Sequence, residues 1–331
     1  MTNDAHPAPF HHLPVLLDRV VALFAPVPAG WIVDATLGGG GHAEALLDAE
    51  PTRRLLGLDQ DAVAVSAAGA RLARFGDRVR LAHVRFDHLA EVAHDIARTG
   101  GGEGVSGVLF DLGVSSPQLD EAERGFSFRG DGPLDMRMDR RRARTAAELV
   151  NNMAAQQLAD TIRRYGDERF AFRIARAIVA ARPIETTGEL ARVVANAVPA
   201  PARRAGHPAR KTFQALRIAV NEELEILADS LDQAIDLLTP GGRCIALAYH
   251  SGEDRIVKDR FRLAVTGGCE CPPGLPCACG AVSTARFVKR GAEKASAEEI
   301  AMNRRSESVR LRVIEAIEPE PLSRSEMVGP T

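Results

Sequence analysis

A chain of 331 residues, 45% of them hydrophobic, can bury a substantial core, which excludes intrinsic disorder and fits one large domain or one domain carrying an insert. No apolar run approaches the ~20 residues needed to span a bilayer, and "MTNDAHPAPFHHLPVLL" lacks the basic and long apolar regions of a signal peptide, so a soluble, cytoplasmic protein is expected. The net charge of −2 is unevenly spread: −8 over residues 1–123, +10 over 124–217 and −4 over 218–331. The basic middle suits a polyanionic partner or simply carries arginines that solvate helices.

In chain order, "GWIVDAT" reads as a buried strand, followed by the four glycines of "DATLGGGGHAEALL" (residues 34–47) and a helix from about His42 to Ala49. "RRLLGLDQD" is a second strand and "AVAVSAAGARLARF" its helix; "RVRLAHVRF" is a third strand, ending at Phe86, and "HLAEVAHDIART" its helix. "VSGVLFDLG" is a fourth strand. Strands and helices alternating through short connections imply an α/β fold with a parallel sheet covered on both faces.

The rhythm breaks at "RGFSFRGDGPLDMRMDRRRARTA", a glycine- and arginine-rich loop that leads into helices without strand signals. One of these starts at Thr186, where Glu189 completes capping-box spacing. Beyond "PAPARRAGHPAR", apolar residues at Phe213, Leu216, Val220, Leu224, Leu227 and Leu231 predict a single long amphipathic helix. "RCIALAYHS" is a fifth strand, and "ARFVKRG" and "SVRLRVIEAI" are the last. The expected organisation is a discontinuous sheet domain (residues 1–135 and 211–315), a helical insert (136–210) and a disordered tail (316–331).

Strand, glycine turn, helix, strand and acidic residue form a nucleotide-binding constellation, in which Asp59 accepts hydrogen bonds from ribose hydroxyls. Gly38, Gly40 and Ala43 fit the G-x-G-x-x-A pattern of dinucleotide sites, although a tight turn without a ligand would read the same way. Asp34 tips the balance. A carboxylate just ahead of the glycines repels a pyrophosphate but suits the amino and sulfonium groups of S-adenosylmethionine, so an NAD-dependent oxidoreductase is the second reading. Asp111 ends the fourth strand, and the turn Ser115, Ser116, Pro117 follows it. Acceptors there suit methylation of an exocyclic amine, whose N–H groups must be held so that its lone pair faces the methyl donor. A polar helix cap is the plainer reading of the same serines.

The stretches "HLPVLLDRVV", "DATLGGGGH", "LGLDQD", "DLGVSSPQLDEAERGFSFRGDGPLDMRMD", "YGDERFAFRIARAIV", "HPARKTFQALRIAVNEELE" and "HSGEDRIVK" together resemble the RsmH (MraW) family of small-subunit ribosomal RNA methyltransferases. The resemblance implies a class I (Rossmann-like) S-adenosylmethionine-dependent methyltransferase sheet with an inserted all-helical domain. It also implies N4-methylation of a cytidine in the decoding region of 16S rRNA within the small ribosomal subunit. Carried over residue by residue, the cofactor contacts are Gly40, Gly41, His42, Asp59, Phe86, Asp111 and Gln118. Asp111, Ser115, Ser116 and Pro117 are expected to hold the base. His250 either faces the base, positions a phosphate or is structural, and Gly252 stands where the family usually has leucine. Ser251 and Asp254 have capping-box-like spacing. Arg140, Arg141, Arg142 and Arg144 are expected to grip RNA phosphates. No membrane partner is implied, and a homodimer is left open.

"CECPPGLPCACG" brings together Cys269, Cys271, Cys277 and Cys279, which suit zinc or are plain thiols; their C-x-C spacing is shorter than that of most structural zinc knuckles. A non-catalytic RNA-binding assembly factor would keep the basic segment and lack methyl transfer.

Overall fold

The computed structural model describes residues 14–99, 104–272 and 277–321. The chain divides into two compact units, one running to Gly113 and resuming at Leu227, the other Val114–Ile226. The second unit takes in more than residues 136–210, because Phe126 and Leu134 before that range, and Phe213, Leu216 and Val220 after it, belong to the helical core. No helix among the described residues is long and apolar enough to cross a membrane.

The first unit contains seven strands among the described residues: β1 (Trp31–Asp34), β2 (Arg54–Asp59), β3 (Val79–His83), β4 (Val105–Asp111), β5 (Leu238–Ala248), β6 (Val282–Phe287) and β7 (Arg310–Pro321). They form one sheet in the order β3-β2-β1-β4-β5-β7-β6. The first five are parallel, and β7 runs antiparallel to both β5 and β6.

Every residue of β1 is buried, as expected of a central parallel strand covered by helices on both faces. On one face Val20, Phe24, Ile32, Leu46, Leu109, Ile245 and Leu311 pack together. A second cluster joins Leu37, Ala43, Leu47, Leu55, Ala68 and Leu72, seating the helices Gly41–Ala49 and Ala62–Leu72 beside β2. Asp61 caps the latter helix by accepting from Val63 N at 3.0 Å.

The Val114–Ile226 unit carries the helices Ala146–Asn152, Ala155–Gly166, Ala171–Ala180, Thr187–Ala197 and Arg210–Asn221. Thr186 and Glu189 form the capping box that their spacing predicts. The long helix expected from Phe213 to Leu231 is broken. Glu222 adopts φ 55°, and a second helix, Glu223–Leu237, begins after it. The break goes with a tertiary demand on Asn221: its side chain accepts from Met138 N at 2.9 Å and donates to Met136 O at 2.8 Å.

Two other boundaries differ from expectation. Strand β3 stops at His83, and Phe86 opens a short 3₁₀ turn, Phe86–His88. The tail expected from residue 316 starts too early, because β7 continues to Pro321 in its pairing with β6. Residues 322–331 lie outside the described residues, as does the start of the chain where no signal peptide was expected.

Candidate active site

Three carboxylates stand at the carboxyl ends of adjacent strands: Asp34 on β1, Asp59 on β2 and Asp111 on β4. Asp34 is level with Gly57 and Leu109, so Asp59 and Asp111 each lie two residues further along. Side chains alternate along a strand, so all three sit on equivalent pleats. The order of the sheet reverses between β1 and β4, and open α/β sheets bind ligands outside the strand ends at such a reversal.

The glycine turn closes over this edge. Gly38 and Gly40 have φ of 51° and 77°, and Gly40 caps the helix Gly41–Ala49. A Cβ on Gly38 would meet nothing nearer than Thr36 O at 3.9 Å, so that stretch of backbone borders open space; a Cβ on Gly40 would press on Ala68 at 3.2 Å. The first amides of this helix, at Gly41 and His42, have no intrahelical acceptor and are available to an anionic group. Asp59 organises the turn from below: Oδ2 accepts from Gly38 N and Oδ1 from Asp61 N, both at 2.8 Å.

Burial and crowding raise these acids. Asp34 is 1% exposed, and its carboxyl is pushed up to about 8, mainly by burial, against an opposing hydrogen bond from Thr36 N and with Asp111 and Asp59 nearby. Burial also lifts Asp59 to about 6, with the amides of Asp61 and Gly38 pulling the other way. Asp111 is raised by burial too, while His42 and the Tyr249 hydroxyl hold it down. A buried carboxylate cluster of this kind favours a cationic ligand over a pyrophosphate.

Asp111 has the most organised surroundings. Its backbone N–H donates to Thr36 Oγ1 at 2.6 Å, and Tyr249 Oη donates to its Oδ1 at 2.6 Å. Its Oδ2 lies 3.6 Å from Nδ1 of the buried His42. His42 Nε2 is 3.0 Å from Val15 O, which can only accept, so Nε2 carries a proton and Nδ1 is the nitrogen that faces Asp111. Burial, then the Asp111 charge, raise the Tyr249 phenol well above its ordinary value, which keeps it a donor. Tyr249 went unnoticed in the sequence; the available signal was a phenol directly after a buried strand in "IALAYH".

His250 proves to be a helix cap. Its Nδ1 accepts from Gly252 N at 3.2 Å and Glu253 N at 3.4 Å, and Glu253 returns a carboxylate to the amides of Tyr249 and His250. The capping box is therefore His250–Glu253, one residue earlier than Ser251–Asp254, and Asp254 instead pairs with Arg310 and Arg312 on β7, both at 2.7 Å. Phe86 is buried and meets Phe110 edge-to-face, with centroids 5.8 Å apart.

The remaining residues expected to contact cofactor, base or RNA belong to the Val114–Ile226 unit. Ser115 caps the short helix Ser116–Asp120, and its amide donates to Gln118 Oε1 at 3.1 Å; Pro117 O accepts from Glu121 N at 2.9 Å. Ser115 and Gln118 thus meet as a helix cap. Ser116 Oγ is buried without a hydrogen-bond partner among the described residues. Arg140 donates to Glu123 O, Arg141 pairs with Asp139, and Arg142 is held by Asn221 O and Glu222. Arg144 is exposed. The four cysteines near residue 270 converge in the other unit, in the connection between the helix Ser251–Thr266 and β6.

A parallel sheet of this strand order with one antiparallel insertion, a glycine turn after β1 and acidic ends on β1, β2 and β4 define a Rossmann-like, S-adenosylmethionine-dependent methyltransferase. The donor set suits that molecule: carboxylates for its cationic groups and ribose hydroxyls, and helix-start amides for its carboxylate.

The sequence matches the model of the MraW methylase family over residues 9–317, and the chain belongs to that family. It is 52% identical over 311 residues to the ribosomal RNA small subunit methyltransferase H of Symbiobacterium thermophilum, covering 92% of this chain and 96% of the relative. The protein of the same name from Heliobacterium modesticaldum is 48% identical over 314 residues, covering 93% and 99%. Among solved structures, an rRNA methylase from Streptococcus thermophilus aligns with 91% of this chain and 94% of its own, at 10% identity and a TM-score of 0.40.

Proposed function

We propose that this protein transfers a methyl group from S-adenosylmethionine to the N4 amino group of a cytidine in 16S rRNA, in the decoding region of the small ribosomal subunit. Family membership and the names of the relatives support the RNA substrate. The single observation that supports an amino group as acceptor is Asp111, a carboxylate fixed by Tyr249 and facing His42 at the open edge of the sheet.

When bound, S-adenosylmethionine supplies an electrophilic methyl group. The chain's own task is alignment. A cytidine amine is a poor nucleophile because its lone pair is delocalised into the ring. Asp111 accepts an N–H of the amine, which raises the nitrogen's electron density and turns its lone pair out of conjugation with the ring. No strong base is required, since the amine sheds its proton only as or after it attacks. That proton passes to Asp111, whose Oδ2 lies 3.6 Å from His42 Nδ1. Asp34, buried at the end of β1, favours the cationic methyl donor electrostatically.

The Val114–Ile226 unit supplies the RNA surface in this reading. Nearly all the basic residues of its +10 stretch are arginines, whose planar guanidinium groups suit phosphate. The amine must be exposed in a single-stranded region or by flipping, and phosphate contacts on either side would stabilise that state.

Asp111→Asn tests the reading. Turnover with S-adenosylmethionine and small subunits should fall by roughly 100-fold or more, a loss typical of removing a positioned proton acceptor, while RNA affinity stays close to wild type. Wild-type turnover in that variant would rule out the carboxylate.

A further inference from the structure

The proposed methyl transfer makes no use of the cysteine pairs, yet the fold brings them together where the helix Ser251–Thr266 ends and the edge strand β6 begins. The chain leaves that helix through Gly267, at φ 55°. A Cβ there would lie 2.3 Å from Val282 O and 2.6 Å from Val282 N, so only glycine lets the helix end touch the first residue of β6. This contact sets Cys269 and Cys271, just after the helix, beside Cys277 and Cys279, just before the strand.

The four Sγ atoms all lie within 4.8 Å of one another. Cys269 Sγ is 3.5 Å from Cys277 Sγ, and Cys277 Sγ is 3.4 Å from Cys279 Sγ. Metal–sulfur bonds of about 2.3 Å in a tetrahedron put the sulfurs about 3.8 Å apart, close to this spread. A disulfide requires about 2.05 Å, and all four thiols are free. Backbone amides also point at the sulfurs: Ala278 N donates to Cys271 Sγ at 3.4 Å, and the amides of Cys279 and Ala281 donate to Cys277. Such N–H···S contacts are the outer shell expected around sulfur ligands of a metal ion.

We propose that Cys269, Cys271, Cys277 and Cys279 bind one zinc ion in a closed tetrahedral site that ties the end of the Ser251–Thr266 helix to β6. Thiolate ligands select a soft ion over magnesium or calcium. Four of them leave no open coordination position, so the site is structural. Its use follows from the topology: among the described residues β6 is the outermost strand, paired with β7 alone, and the zinc fastens its start to the body of the domain. The short C-x-C spacing is accommodated because each pair meets the other across the helix–strand contact.

The test uses the full-length protein, purified without chelator and with any affinity tag removed. Elemental analysis should find one zinc per chain, released in step with titration of the thiols by a mercurial. The Cys271→Ser/Cys279→Ser variant should hold less than a tenth as much zinc, melt at a lower temperature and still bind S-adenosylmethionine. Native protein with less than a tenth of an equivalent of zinc and titratable free thiols overturns the proposal. So does native protein whose thiols are oxidised to disulfides, or whose bound metal is iron.

Discussion

With no ligand in the site, Asp34 is held protonated at neutral pH, and that has a measurable consequence for stability. Burial pushes its carboxyl from 3.8 to about 8, whereas in the unfolded chain it ionises near its ordinary value of about 3.9. Between those values the folded chain binds the extra proton, so this group makes stability fall as pH rises, by up to about 1.4 kcal/mol per pH unit. From pH 5 to pH 8 the loss is on the order of 4 kcal/mol. Asp34→Asn keeps the shape and the neutral form and removes the titration. Urea denaturation at a series of pH values, without S-adenosylmethionine, should show the variant gaining on wild type by on the order of 4 kcal/mol across that range. In calorimetry, wild-type affinity for S-adenosylmethionine should rise with pH up to about 8, because a neighbouring cation favours the carboxylate; the variant should lack this rise. Parallel stability profiles for the two proteins would refute the reasoning.

Tyr249→Phe removes the hydrogen bond that holds the Asp111 carboxyl down, so the acidic limb of the pH–rate profile should move to higher pH. Turnover should fall roughly tenfold with KM for RNA unchanged, and an unmoved pH profile would deny the coupling. Replacing Arg140, Arg141 and Arg144 with alanine, while leaving Arg142 to hold Asn221 and Glu222, should weaken RNA binding and flatten its salt dependence. Cofactor affinity should be spared, and normal RNA binding at every salt concentration would move the RNA surface elsewhere.

The parts of this molecule legible in the sequence are those set by local pattern. Continuous apolar runs such as "WIVD" and "RLLGLD" announce buried strands, and an acid closing each run marks Asp34 and Asp59 as edge residues. What the sequence withheld are contacts made across the fold. Tyr249 meets Asp111 across 138 residues because β5 lies beside β4, an adjacency that periodicity does not encode. The break at Glu222 was hidden because the apolar spacing continues through it; the Asn221 hydrogen bonds that accompany it come from a loop more than 80 residues earlier. The His250 cap was missed for another reason: histidine is an uncommon capping residue, and a serine next to it offered a more familiar one.

The central claim is tested most directly by incubating the protein with small ribosomal subunits and methyl-labelled S-adenosylmethionine, then digesting the RNA and identifying the labelled nucleoside by mass spectrometry. The account predicts label on the N4 atom of a single cytidine in 16S rRNA. Label on any other atom, or no transfer to 16S rRNA from active cofactor-binding protein, would contradict it.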